Sequence, residues 1–188
     1  MKRYIRAAVA NLSQESLELR RQIAENPGTD GRTLLSLFND KDTKYYALNN
    51  PNFPSDKLTE LSEDTEEQIR VYVASNPGTS ADVLQKLSND PSWRVKIQVA
   101  ANPSTPTEVL YDMLAREDSY ISRYIGNNPN APVDIQQQLS TDPDWGVRLQ
   151  VAYNKYAAPE ILKALANDSS QPVRRAACVT LESLGISV

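Results

Sequence analysis

The feature that most constrains this chain is a dipeptide returning on a fixed period. Asn-Pro stands at Asn26-Pro27, Asn50-Pro51, Asn76-Pro77, Asn102-Pro103 and Asn128-Pro129, and Asn154-Lys155 continues the series without its proline. The spacings are 24, 26, 26, 26 and 26 residues. Self-similarity on this scale marks a repeat array, in which one supersecondary unit stacks on the next. Eight residues after each Asn come Leu34, Leu58, Leu84, Leu110, Gln136 and Leu162, and three further on Leu37, Leu61, Leu87, Met113, Leu139 and Leu165, a helical interval. Seven residues before the Asn column stand Leu19, Ile69, Val95, Ile121, Val147 and then Val173, with Thr43 breaking the series. Four residues later come Ile23, Ala47, Val73, Val99, Ile125, Val151 and Ala177, a second apolar stripe.

Each unit therefore reads as a helix of about ten residues, a turn, and a second, shorter helix, either α or partly 3₁₀, closed by Asn-Pro. Proline disfavours α geometry in the residue before it and cannot donate the next helical hydrogen bond, so it ends the second helix. In Thr105-Pro106-Thr107-Glu108 the order threonine, proline, acid predicts a threonine N-cap. The equivalent third position holds Arg32, Asp56, Asp82, Glu108, Asp134 and Glu160, carboxylates in five of six copies where the helix dipole favours them. Ala24, Leu48, Ala74, Ala100, Gly126, Ala152 and Cys178, two residues before each Asn position, are mostly small and predict close approach of neighbouring helices. One copy cannot bury its own leucines; stacked copies share a continuous core, so the sequence predicts an elongated stack. Tyr4 to Leu12 reads as a partial N-terminal copy, and Val173 to Leu184 as a longer terminal helix.

The run Asp-Pro-Ser-Trp-Arg-Val-Lys-Ile-Gln-Val-Ala-Ala-Asn-Pro-Ser-Thr-Pro-Thr-Glu-Val-Leu, residues 90 to 110, resembles the leucine-rich repeat variant family, and similar runs cover about residues 19 to 178. The resemblance implies an all-α fold, a right-handed α-solenoid superhelix of about six helix–turn–short-helix repeats, distinct from ordinary leucine-rich repeats. On this reading the chain is a single repeat domain, with residues 1–18 and 179–188 as caps. One architecture in that family adds a cysteine-rich iron–sulfur module; Cys178 is the only cysteine here, so no cofactor is carried over. The family's usual unit is nearer 24 residues, which the Asn26 to Asn50 copy alone matches.

Charge and composition narrow the function. Twenty Lys and Arg against 24 Asp and Glu give a net charge of −4, a field that does not draw polyanions. A lone cysteine fits a reducing compartment, and no apolar run approaches a membrane span, so the expected location is cytoplasmic. The chain contains no histidine, and no Gly-rich phosphate loop, Gly-x-Ser-x-Gly or metal-spaced cluster is legible in it. Nucleophile–histidine and histidine–metal chemistry are thereby excluded, and a non-enzymatic role is expected.

Two columns are candidates for more than packing. Asp64 with Arg70, Asp90 with Lys96, Asp142 with Arg148 and Asp168 with Arg174 repeat an acid six residues before a cation. This is similar to the Asp–Arg ladder of HEAT repeats and reads as scaffold; the alternative is a basic track for phosphate along Arg20, Arg70, Lys96, Arg148 and Arg174. The second column, four residues before each Asn, is Gln22, Tyr46, Tyr72, Gln98, Tyr124 and Gln150. It adjoins the apolar stripe, and reads either as an interaction strip or as tyrosine bodies covering leucines. Trp93 and Trp145, each in Asp-Pro-x-Trp, are expected to pack on the neighbouring turn. The copy between Asn102 and Asn128 departs most from the pattern, with Arg116 for the aspartate, Asp118 late, Ser122 for the cation and Gly126 for alanine. Tyr111, Tyr120, Arg123 and Tyr124 concentrate there, so Tyr120 and Arg123 join the candidate binding residues. The expectation is a monomeric scaffold for an unidentified protein partner, with nucleic acid as the alternative ligand.

Overall fold

The computed structural model describes residues 17–116 and 119–187, so the predicted partial copy over Tyr4 to Leu12, and Asp118, lie outside the described residues. The described residues form thirteen helices, all α: α1 (Leu17–Glu25), α2 (Gly31–Phe38), α3 (Lys44–Leu48), α4 (Ser55–Leu61), α5 (Glu67–Ser75), α6 (Ala81–Leu87), α7 (Trp93–Ala101), α8 (Thr107–Arg116), α9 (Ser119–Gly126), α10 (Val133–Leu139), α11 (Trp145–Tyr153), α12 (Pro159–Leu165) and α13 (Gln171–Ser183). Even-numbered helices follow each Asn turn and odd-numbered ones precede it. The chain divides into two compact units, Met1–Val83 and Leu84–Val188, with the division inside α6.

The expected helix lengths are reversed. After the Asn turn the helix is seven or eight residues in five copies and ten only in α8, whereas the second helix runs eight or nine in α1, α5, α7, α9 and α11 and five in α3. Two turns suffice to carry both leucine positions, and the chain then leaves the helix at Ser62, Ser88 or Ser140. Each of these hydroxyls donates to the carbonyl three residues back, at 2.7, 2.7 and 2.8 Å. The second helices form the contact layer: α3 packs on α1 and α5 in the first unit, and α9 packs on α7 and α11, and α11 on α13, in the second. The small column makes this possible, since Ala24, Ala74, Ala100 and Ala152 are fully buried where those helices meet.

The core follows the stripes. Leu34, Leu58, Leu84, Leu110 and Leu162 are inaccessible, and Gln136 takes the same place without cost because its amide is fully engaged. Its Nε2 donates to the Ala131 carbonyl (2.8 Å) and its Oε1 accepts from the Ala158 amide (2.9 Å). Thr43, which interrupts the other stripe, is also buried, and its hydroxyl donates to the Leu37 carbonyl (2.8 Å). Thr105 is not the cap of α8: its hydroxyl donates backwards to the Val99 carbonyl (2.6 Å), as Thr29 does to Ile23 and Thr79 to Val73. These threonines place a hydroxyl donor on a carbonyl in the last turn of the second helix; the Val73 and Val99 carbonyls accept the amides of Asn76 and Asn102 as well. A side-chain cap does form at α2, where Asp30 accepts from the amides of Arg32 and Thr33, which explains how that copy dispenses with an acid at the third position.

The asparagines bond in every direction available to them. Asn50, Asn76, Asn102, Asn128 and Asn154 are no more than 3% exposed. Within its own turn each Oδ1 accepts from the amide two residues on, at 2.7–2.9 Å for Asn52, Gly78, Ser104, Asn130 and Tyr156. The Nδ2 group reaches into the preceding copy. Asn50 donates to the carbonyls of Ala24 and Asn26, and Asn76 to Leu48 and Asn50. In the second unit Asn128 donates to Ala100 and Asn102, and Asn154 to Gly126 and Asn128, all within 2.6–3.1 Å. Thr180 ends the series with one bond, to Ala152 (2.7 Å). Asn154 keeps both bonds and an extended backbone (ψ 105°) although Lys155 follows it, so the asparagine defines the turn and the proline is dispensable. Close stacking is also visible at Gly78, where a Cβ would lie 2.8 Å from the Pro51 carbonyl oxygen.

Replacing Asn128 by alanine takes the side-chain donor from the Ala100 carbonyl and the acceptor from the Asn130 amide, and leaves the Asn102 carbonyl only its bond from the Thr105 amide; at about 1–3 kcal/mol for each unsatisfied group the loss should be about 2–4 kcal/mol by urea denaturation. Asn128→Asp, which sets a carboxylate against those carbonyl oxygens, should cost more at neutral pH, whereas Asn128→Thr, with Thr180 as its natural precedent, should cost least. An Asp variant as stable as the wild type would contradict this account.

Candidate functional site

The second helices bury one side in the core and turn the other outward, and the Tyr/Gln column lies at the boundary. Gln22 is exposed, while Tyr46, Tyr72, Gln98, Tyr124 and Gln150 are half-buried, each one residue ahead of the apolar stripe. In the first unit Tyr46 and Tyr72 come together with Tyr45, and with Glu25, Asn49, Asn50 and Pro51 they line an open depression of about 630 Å³. Tyr45 and Tyr72 stack, with ring centroids 4.8 Å apart and planes 19° apart. The Arg21 guanidinium lies over the Tyr46 ring, 5.1 Å from its centroid. Gln22 points elsewhere, to Glu18 (3.2 Å). Tyr45 donates its hydroxyl to Glu66, which also pairs with Lys44 at 3.1 Å. That hydrogen bond pushes the Tyr45 phenol up to about 12 and holds the Glu66 carboxyl below its usual range. Column reading could not find Tyr45, because its neighbours in register are Arg21, Val71, Ile97, Arg123 and Leu149, which share no chemistry.

In the second unit a different group faces out. Trp93 is 55% exposed and meets Tyr120 edge-on at 5.8 Å, and Tyr120 meets Tyr124 in the same way at 5.8 Å. The neighbouring-turn packing expected for the tryptophans is thus an edge contact for Trp93, with most of the ring left in solvent, and Trp145 is 51% exposed. Arg123 passes over Gly146 to reach Asp144 (2.7 Å), and a Cβ at Gly146 would lie 2.9 Å from the guanidinium. The glycine thus clears the path for Arg123, a role invisible in the sequence because the two residues belong to different copies. Gly126 is similarly constrained, with Val151 Cγ2 3.1 Å from where its Cβ would be. Tyr111 donates to both carboxylate oxygens of Asp134 (2.7 and 2.5 Å), linking consecutive first helices. Arg116, standing where other copies have aspartate, donates to Asn89 (2.6 Å) and pairs with Asp112.

The acid–cation column bonds in a way the spacing alone misassigns. Across the six-residue interval the cation meets the main-chain carbonyl of the aspartate: Arg70 donates to Asp64 (2.7 Å), Arg148 to Asp142 (2.8 Å) and Arg174 to Asp168 (2.6 Å). The aspartate's own carboxylate caps its turn, with Asp64, Asp90, Asp142 and Asp168 each accepting from the amide two residues on. Where Arg20, Arg123 and Arg148 meet a carboxylate it is that of the following copy. Arg148 bonds both oxygens of Asp168 (2.7 and 2.9 Å), and Arg20 pairs with Asp40 in the same manner. Lys96, half-buried in α7, is the cation of its own copy. In this column the guanidinium groups of Arg70, Arg148 and Arg174 are bonded to their own chain.

No protein-family model matches the chain, and no curated protein matches it. Among solved structures, one described as a leucine-rich repeat variant with a novel repetitive protein structural motif is similar over 94% of this chain and 71% of its own length, with a TM-score of 0.52 and 22% identity. The fold class is therefore an all-α helical-repeat solenoid. Within that class the chain is similar in fold to the leucine-rich repeat variant. Among the described residues no helix is long and apolar enough to cross a membrane.

The pairs set a pH dependence of stability. Hydrogen bonds from Arg148 and Arg123 hold the carboxyls of Asp168 and Asp144 below the usual range. Depressed folded values mean that the contribution is complete above the unfolded carboxyl pKa, about 3.9, and is lost as pH falls through the folded values. The melting temperature should therefore drop steeply below about pH 4, and Asp168→Asn should flatten that part of the profile. In a separate test, Gly146→Ala should break the Arg123–Asp144 contact and raise the Asp144 carboxyl pKa, read by NMR titration, while the fold is retained.

Proposed function

We propose that this protein is a non-enzymatic binding module that holds a segment of a partner protein against the outward side of its second helices, with the Tyr/Gln column as the contact surface. One observation carries the reading: Tyr45, Tyr46 and Tyr72 surround an open depression of about 630 Å³, within the volume range of sites that hold a ligand several side chains long. Tyrosine offers large contact area with little rotamer entropy to lose, and Asn49 beside it offers a donor and an acceptor, the chemistry of peptide recognition. The bonding of the cation column within the chain removes the main support for nucleic acid as ligand, and the net charge of −4 agrees.

The test is site-directed photocrosslinking in the native host. A photoreactive phenylalanine analogue at position Asn49 should trap a protein partner, and the same analogue at Thr59, exposed on a first helix, should not. The Asn49 adduct should be lost with Tyr46→Ala or Tyr72→Ala while the melting temperature is kept. Adducts equal at both positions, or untouched by the tyrosine changes, would remove the column from consideration.

A further inference from the structure

The depression in the first unit also carries information about the charge of what enters it. Residues 17–83 hold twelve Asp and Glu against seven Lys and Arg, whereas residues 84–187 hold eleven against ten. The sixteen residues before them add Lys2, Arg3 and Arg6 against Glu15, which still leaves the first unit negative. Among the described residues lining the depression the charged one is Glu25, on α1, and the rest of the wall is Tyr45, Tyr46, Tyr72, Asn49, Asn50 and Pro51. Aromatic faces beside a carboxylate in a negative field favour a cation, which gains from the ring quadrupole and from the charge together.

The chain supplies its own demonstration of this chemistry at the rim. Arg21 lays its guanidinium over Tyr46, and among the described residues its buried Nε has no hydrogen-bond partner. The ring face thus accepts a guanidinium even when one donor is left unsatisfied, which normally costs free energy. Lys44 does likewise on the other side, with its ammonium 5.6 Å from the Tyr45 centroid and 5.7 Å from that of Phe38. Both native cations sit on rings that line the depression, Arg21 on Tyr46 and Lys44 on Tyr45.

We infer that the depression is a recognition site for an arginine- or lysine-bearing peptide segment, whose cationic side chain is seated on Tyr46 and Tyr72 beside Glu25, with Arg21 as its internal competitor. This inference rests on the peptide-binding reading given above. Asn49, exposed at the end of α3, is placed to bond the segment's backbone. Arg21 makes the site selective: an arriving cation must displace or share its ring, so a weak or single charge is disfavoured.

Fluorescence anisotropy on the full chain at low salt, with labelled peptides of alternating Arg and Gly, Glu and Gly, and Ser and Gly, tests this. The Arg/Gly peptide should bind, more weakly as salt is raised, and the Glu/Gly peptide should not. Tyr46→Ala should weaken binding roughly 2- to 30-fold, the span of a cation–π contact, and Tyr46→Phe, which keeps the ring, should restore it. Glu25→Gln should weaken it by up to about 5-fold. Arg21→Ala should strengthen it, an outcome that misfolding cannot mimic. If Arg21→Ala weakens binding, or the Glu/Gly peptide binds best, the cationic assignment is overturned. If the Ser/Gly peptide binds equally well in a Tyr46-dependent manner, the cationic assignment falls and the peptide-binding reading stands. If no peptide responds to Tyr46→Ala or Tyr72→Ala, both fall.

Discussion

A buried primary amide governs this fold. Asparagine is short enough to keep its terminal group at the turn, and it carries one acceptor and two donor hydrogens in a single plane. At Asn128 the acceptor closes the local turn and the donors meet two carbonyls of the preceding copy. One side chain therefore sets both where the helix ends and how far the next copy is displaced. Aspartate would lack the donors, and glutamine would move the group outward by a methylene. The leucine columns supply most of the driving force for stacking, because burial is large but indifferent to register. The amide supplies what burial cannot, a fixed spacing between copies.

The array was legible in the sequence because it is written six times. The leucine positions, the small column and the end of each second helix all follow from period and residue type, and the fold agrees with them. What was illegible concerns partners in the next copy. Arg148 stands six residues after Asp142, yet its carboxylate partner is Asp168, and no linear spacing distinguishes the two. Thr105 looked like a cap because Pro106 and Glu108 follow it, but a threonine can turn its hydroxyl backwards, and here it donates to the Val99 carbonyl. Helix lengths were reversed because apolar spacing locates a helix and does not say how many turns its neighbours require. Gly146 and Tyr45 were missed for a related reason: their roles come from contacts with other copies, Gly146 with Arg123 and Tyr45 with Glu66 and Tyr72, and neither residue type repeats in its column.

The same economy shapes the outward surface. Cations and carboxylates in the regular columns bind their own chain, which holds successive copies together and leaves little free charge for a ligand. Aromatic side chains remain on the second-helix layer, gathered around a depression in the first unit and presented as the edge-on series Trp93, Tyr120 and Tyr124 in the second. The two surfaces differ in charge and in shape although one repeat produced both. A regular scaffold with irregular outward positions lets one repeat carry different surfaces, even where the varying side chains also link copies, as Tyr45 does to Glu66 and Tyr111 to Asp134.

The substitution of Lys155 for proline bears on how such a chain changes over generations. Because each amide speaks only to its immediate predecessor, gene-level duplication or loss of one whole copy recreates the same two bonds at the seam. Thr180 illustrates the complementary limit, a position in the same register that keeps one of the two bonds with a single donor. Copy number is then the trait most open to drift, whereas the residue between turn and helix is the one least able to move.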